Sequence, residues 1–147
     1  MREIRFRGKC TPEFPHPTVK WVYGSLVSDS KKKKKTALIC AHLPVPTRDG
    51  NTFWYEVYAD TVGQYTGLRD ADGREIYEGD IIDVDGFIAE VVYSGGSYEL
   101  YTKKEPLGSL SDIAYEYSLS IFEDGVKKTF SVIGNIHDNP DLLEKQP

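Results

Sequence analysis

The strongest constraint on this chain is the spacing of its apolar side chains. They recur at every second position in short runs, and many of the runs end at glycine, proline or aspartate. A period of two places side chains on alternate faces of an extended strand, whereas an amphipathic helix needs a period near 3.6. In REIRFRG, Ile4 and Phe6 point one way and Arg5 and Arg7 the other. Val19, Trp21 and Tyr23 share a face of a second run, and TALICAHL (36–43) forms a third. The runs at 21–27 and 36–43 read as a hairpin with the lysines at its tip. FWYEVYAD alternates again, with Phe53, Tyr55 and Val57 against Trp54, Glu56 and Tyr58.

From Val62 onward the turns become explicit. Asp70-Ala71-Asp72-Gly73 is a tight reversal, because glycine accepts positive φ and aspartate bonds to its own backbone. Glu75–Tyr77 starts a return strand, Glu78-Gly79-Asp80 interrupts and bends it, and Ile81–Val84 resumes it. Asp85-Gly86 suits a two-residue hairpin. FIAEVVY (87–93) and the run from Tyr98 to Thr102 follow, separated by Ser94-Gly95-Gly96-Ser97. The stretch 107–122 stays open between helix and strand. Ser111-Asp112 suits a helix start, yet Ile113, Tyr115, Tyr117, Leu119 and Ile121 alternate strictly. Thr129–Ile136 is a strand. In DNPDLLEK, Asn139 caps a last helical turn with Pro140 at its first position. The expected fold is mainly β, built of antiparallel hairpins, with a small barrel-like C-terminal meander and a short C-terminal helix. A chain of 147 residues suits one domain, here with an N-terminal hairpin lobe over roughly 1–60 and a C-terminal lobe over roughly 61–147.

Charge is divided unevenly. Residues 1–35 hold ten Lys/Arg and three Asp/Glu, and residues 36–147 hold eight and twenty. The loudest local feature is the unbroken run Lys31, Lys32, Lys33, Lys34 and Lys35. Together with Arg5, Arg7 and Lys9 on one strand face, it is the natural candidate for contact with phosphates. No aromatic or arginine interleaves with the lysines, so the run by itself reads no base. A solvated hairpin tip is the plainer reading of such a block.

Catalytic and metal patterns are missing. Gly63, Gly67, Gly73 and Gly79 do not form a phosphate loop and read as turn and bulge positions. The carboxylates Asp70, Asp72, Glu75, Glu78, Asp80, Asp83 and Asp85 invite a calcium reading, but glycine falls at position 4 of the loop counted from Asp70 and Arg74 at position 5. His16, His42 and His137 lack ligand spacing, and Cys10 and Cys40 read as free thiols. His137 beside Asp138 is the nearest approach to an acid–base pair. No stretch nears the roughly 18 apolar residues of a membrane span. The expectation is therefore a cytoplasmic protein that needs no cofactor or metal and is not an enzyme.

TVGQYTGLRDADGREIYEGDII (61–82), together with REIRFRGK, WVYGSLV (21–27) and VIGNIHDNPDLL (132–143), resembles the signature of the YopX-like proteins of bacteriophages and prophages. The resemblance runs the length of the chain. It implies a mainly β protein of phage or prophage origin acting in a bacterial host cell, and it brings no catalytic or binding residues with it. The signature positions are Gly63, Gln64, Tyr65, Thr66, Gly67, Leu68, Asp72, Gly73, Ile76, Tyr77, Gly79, Asp80, Gly134, Asn135, Asn139 and Pro140. They read as structural, with outward carboxylates keeping exposed strand edges from pairing. The expected role is a non-enzymatic protein-interaction module whose partner is a host or phage protein or a second copy of the chain. The alternative is nucleic-acid binding through the basic N-terminal strand and the lysine tip.

Overall fold

A computed structural model describes residues 3–12, 20–27, 35–42, 52–119, 122–123 and 126–144. The chain divides into two compact units, residues 1–65 and 66–147.

In unit 1, β1 (Phe6–Lys9), β2 (Trp21–Val27), β3 (Thr36–His42) and β4 (Thr52–Tyr58) form an antiparallel sheet in the order β4-β3-β2-β1. The first residues of β5 (Gly63–Arg69) pair with β1, Phe6 opposite Gln64 and Arg7 opposite Gly63. The expected pairing of the 21–27 and 36–43 runs is present, with Ser25 opposite Cys40 and Val27 opposite Leu38. The sheet curls, so that Cys10 bridges Val57 of β4 and Thr11 donates its N–H to Glu56 O at 3.0 Å. The concave side collects Val22, Ile39 and Val57, with Phe6 and Tyr55 packed against them. The curl dictates two glycines. A Cβ on Gly8 would stand 2.7 Å from Val57 Cγ2, and one on Gly24 would stand 2.0 Å from Cys40 O.

In unit 2, β6 (Glu75–Tyr77) returns alongside β5. Then β7 (Asp80–Val84), β8 (Phe87–Ser94), β9 (Ser97–Tyr101), β10 (Pro106–Ser109) and β13 (Phe130–Asn135) make an open antiparallel sheet in the order β10-β9-β8-β7-β13. A small hairpin, β11 (Phe122–Glu123) and β12 (Val126–Lys127), precedes β13. Asp85 and Gly86, at φ 49° and 92°, close the β7–β8 hairpin as a two-residue turn. Both central residues take the positive φ that the favoured hairpin turn requires.

The expected barrel is corrected: this sheet does not close on itself. Helix α1 (Leu110–Leu119) covers its apolar face instead, so the sheet has no need to curl shut. Leu110, Ile113, Ala114 and Tyr117 of α1 pack onto Ile82, Val84, Ala89, Val91, Leu100 and Phe130. Those four helix residues recur at i, i+3, i+4 and i+7, a helical stripe that the strict alternation of 113–121 concealed. Tyr115, a member of that alternating set, is exposed.

The last turn, Pro140–Glu144, is a 3-10 helix. Asn139 starts it through its carbonyl, which accepts from Leu142 N at 3.1 Å. Its side chain turns back to β13, where Oδ1 accepts from Asn135 N at 3.3 Å. Gly134 is glycine because a Cβ there would lie 2.6 Å from that oxygen.

Candidate functional site

Two carboxylates of the signature segment, Asp70 and Asp80, are buried, while Asp72 and Asp85 stay exposed. Asp70 is 7% exposed and its carboxylate accepts three backbone N–H groups. Oδ1 takes Asp72 N at 2.9 Å and Arg74 N at 2.8 Å, and Oδ2 takes Val132 N at 2.9 Å. The first two shape the turn, and the third reaches across to β13. Around it, Ala71 N donates to Phe130 O at 2.9 Å, the Arg74 guanidinium to Val132 O at 3.0 Å and Ser131 Oγ to Asp72 Oδ2 at 2.8 Å. The turn 70–74 therefore stands in for a strand along the outer edge of β13. An unpaired edge invites pairing with another chain, and here its N–H and C=O groups are occupied from within the unit.

The Glu78-Gly79-Asp80 step is also corrected. It does not bend a single strand, because β6 neighbours β5 while β7 pairs with β8 and β13. Gly79, at φ 90°, donates to Val91 O and accepts from Ile136 N, each at 2.9 Å. Asp80, buried, accepts from Tyr77 N at 2.7 Å. Gly67, at φ 84°, and the Thr66 hydroxyl, which donates to Ile76 O at 2.8 Å, shape β5 just before the turn.

Beside the 70–74 turn lies a groove of about 250 Å³ lined by Arg69, Asp70, Ala71, Ala114, Tyr117, Ser118 and Phe130. Its wall is aromatic and apolar, with the Tyr117 and Phe130 ring centroids 5.5 Å apart. Its polar groups are engaged. Arg69 donates to Gly73 O at 2.9 Å and to Glu75 at 3.2 Å, and Ser118 Oγ donates to Tyr115 O at 2.7 Å. The Tyr117 hydroxyl donates to Asp85 Oδ2, and Asp85 Oδ1 accepts from Thr129 N at 2.8 Å. Burial, the Asp85 hydrogen bond and the negative charges of Asp85, Glu116 and Asp83 push the Tyr117 hydroxyl well above the ordinary tyrosine range. It is held as a hydrogen-bond donor and is a poor base or nucleophile at neutral pH.

The basic candidates sit in unit 1, where Arg5, Arg7 and Lys9 share the convex side of the curled sheet. Arg7 is 6% exposed, with its guanidinium 5.0 Å from the Trp21 ring centroid. The expectation of an outward cation at that position is corrected: the guanidinium is buried against the indole rather than presented to a phosphate. Arg5 lies 5.3 Å from the Tyr65 ring centroid and pairs with Glu3 at 3.3 Å. The Lys9 backbone N–H donates to Thr61 Oγ1 at 2.9 Å. Of the lysine tip, Lys31, Lys32, Lys33 and Lys34 lie outside the described residues. Lys35 is described and adjoins Tyr58, its carbonyl accepting from Ala59 N at 3.0 Å. His137 and Asp138 turn their backbone N–H groups onto Asn135 Oδ1, at 3.0 and 2.9 Å. Among the described residues, no group of three or more His, Cys, Asp or Glu is placed to hold a metal ion. Nor is any described helix long and apolar enough to cross a membrane.

Sequence reasoning foresaw an aspartate bonding its own turn at 70–73, and Asp70 Oδ1 does so, but it missed the reach of Asp70 to Val132 N and missed Tyr117. Nothing in the acidic run separates that aspartate from its neighbours except its place at the head of the turn, the usual signal of a side chain bonding its own loop. Tyr117 was concealed by the ambiguity of its segment.

The chain belongs to the YopX family: the family model described as "YopX protein" matches residues 14–144. The crystal structure of protein EF1440 from Enterococcus faecalis is similar to this chain in fold, with a TM-score of 0.54 over 97% of this chain and 99% of that one, at 22% identity. No curated protein matches.

Proposed function

We propose that this YopX-family protein is a binding module without catalytic activity, and that its unit 2 engages a protein partner in the bacterial cell that hosts the phage or prophage. The observation that carries this reading is the groove. Its arginine, aspartate, serine and tyrosine are all tied to other groups of the unit, which leaves shape and apolar surface as what it offers. Unit 2 also holds seventeen Asp/Glu against seven Lys/Arg. A basic partner with an apolar side chain seated between Ala71 and Tyr117 fits both features, and charge complementarity would speed its association.

The test is affinity capture from nuclease-treated host lysate, comparing the natural chain with groove-filling Ala71→Trp and Ser118→Trp variants. A basic protein retained by the natural chain and lost by both variants is the expected result. Retention by both variants, or turnover of a small molecule that one point substitution abolishes, would overturn the reading.

A further inference from the structure

The five-stranded sheet of unit 2 has two faces, and α1 lies on one of them. Ile82, Val84, Ala89, Val91, Leu100 and Phe130 belong to that core. The strand register puts Ile81, Glu90 and Tyr101 side by side on the opposite face, with Gly134 of β13 next to Ile81. Ile81 is nevertheless fully buried. Its cover is the C-terminal turn Pro140–Glu144, which packs against β8.

The turn is tied at both ends of this row. At the β13 end Asn139 N donates to Asn135 O at 2.8 Å, and Leu142 Cδ1 lies 2.9 Å from where a Cβ on Gly134 would stand. At the β9 end Glu144 pairs with Lys103, two residues beyond Tyr101. From β13 to β9 the row is three strand spacings, about 14 Å. The turn rises about 2 Å per residue, so with the Lys103 and Glu144 side chains it reaches across. Glu90 stands within the row, half-buried between Ile81 and Tyr101. The two ties are unequal. Asn135 and Asn139 bond each other through backbone and side chain, whereas Lys103–Glu144 is an exposed ion pair, weak in water and weaker in salt.

The charges near Glu90 are mostly of its own sign. Glu78 acts on it from the β6–β7 step. Asp83 on β7 and Glu99 on β9 are the next acids on the same face, by the alternation of each strand. The turn itself carries Asp141 and Glu144, and His137 precedes it. Lys103 is the cation that Glu144 brings in. Burial first, and then Glu78, push the Glu90 carboxyl above the ordinary glutamate range. Under the turn, an ionised Glu90 is short of water and faces like charge, while a protonated one suffers neither.

We propose that Pro140–Glu144 is a pH-sensitive strap hinged at Asn139: it lies closed over Ile81 and Glu90 while Glu90 is a neutral acid, and it lifts from its Glu144 end when Glu90 ionises. The closed strap holds the proton more tightly than the open one. Its advantage is therefore fully present below the open value of about 4.3 and is lost as pH rises through the raised one. Lifting uncovers Ile81 beside Tyr101, which is already 37% exposed. The strap lies on the side of the sheet opposite α1, and its action does not depend on the groove reading.

The experiment is NMR of the full chain, following the cross-peak between the Leu142 methyls and the Gly134 α-protons from about pH 4 to about pH 8. The Glu90 carboxyl carbon is titrated alongside. The cross-peak should be strong at the acid end and should be lost with the midpoint of the Glu90 titration, while cross-peaks between β7 and β8 keep their strength. Glu90→Gln should hold the cross-peak strong at both ends. Lys103→Gln should move the midpoint to lower pH, because the closed strap loses its latch. A cross-peak of constant strength in the natural chain overturns the proposal. So does its loss in Glu90→Gln at the natural midpoint, which would assign the step to another group such as His137. An unmoved midpoint in Lys103→Gln overturns it as well.

Discussion

The two units use the same vocabulary of short strands and glycine turns, and they place their charges in opposite ways. Unit 1 is basic and curls a sheet around a small apolar core. Unit 2 is acidic, builds a larger core under α1 and turns two of its carboxylates, Asp70 and Asp80, inward as acceptors for backbone N–H groups. The difference teaches that a run of acidic residues need not be a surface. A carboxylate that accepts two or three N–H groups gains charge-assisted bonds that offset its desolvation. It can then join a loop to a strand edge that no neighbouring strand occupies.

The sharpest way to break this comparison is Asp70→Ala. It would strand the N–H groups of Asp72, Arg74 and Val132 and reopen the edge of β13. Unfolding by urea should show a loss of at least about 3 kcal/mol, whereas alanine at a solvated surface aspartate stays within about 0.5 kcal/mol. A loss in that smaller range would show that the inward carboxylate is not what distinguishes unit 2.

Unit 1 depends instead on close backbone approach. Gly24→Ala places a methyl against Cys40 O and should cost about 1–3 kcal/mol, measured the same way. Gly67 meets nothing within 4 Å, so substitution there tests backbone strain alone.

Tyr117→Phe removes the hydroxyl from Asp85 and should cost about 1 kcal/mol. The pH dependence carries the sign. The folded protein raises the Tyr117 pKa above its unfolded value, so the protonated tyrosine is favoured in the native state. That contribution is fully present below the unfolded value of about 10 and is lost as pH rises beyond it. Ultraviolet titration should show one fewer late-ionising tyrosine in the variant than in the natural chain.

The smallest effect expected is at Glu90. Burial, and then the charge of Glu78, raise its pKa. A raised carboxylate favours the protonated form in the folded state, so its contribution is greatest at acid pH and declines as pH rises through its titration. Glu90→Gln should therefore raise the melting temperature at pH 7 by no more than about 3 °C, and the gain should vanish at about pH 4, near the ordinary glutamate value. A variant that melts lower at pH 7 would show that Glu90 makes a bond worth more than its burial costs.

Much of the strand placement along the chain was open to reading because the period of two survives in single runs. REIRFRG, FWYEVYAD and FIAEVVY each show it without help from a neighbour, and Asp85-Gly86 announces its turn by residue type alone. The 107–122 stretch was not legible in that way. Its alternating residues and its helical stripe overlap, and only the apolar face of the five-stranded sheet, calling for Leu110, Ile113, Ala114 and Tyr117 together, selects the helix. The candidate groove was illegible for the same reason, since it joins residues about sixty positions apart, from Arg69 to Phe130.

By itself the sequence determined that this chain is mainly β, where its tight turns fall, that it carries the YopX signature and that its charges are divided along its length. These are local properties, set by side-chain period, by the φ each residue tolerates and by composition. The tertiary structure decided that the C-terminal sheet stays open beneath a helix, that Asp70 and Asp80 turn inward and that Arg7 is buried against Trp21. Those outcomes depend on which strands become neighbours. Pairing partners are chosen by the burial and hydrogen bonding of the whole unit, and no single run of residues contains that choice.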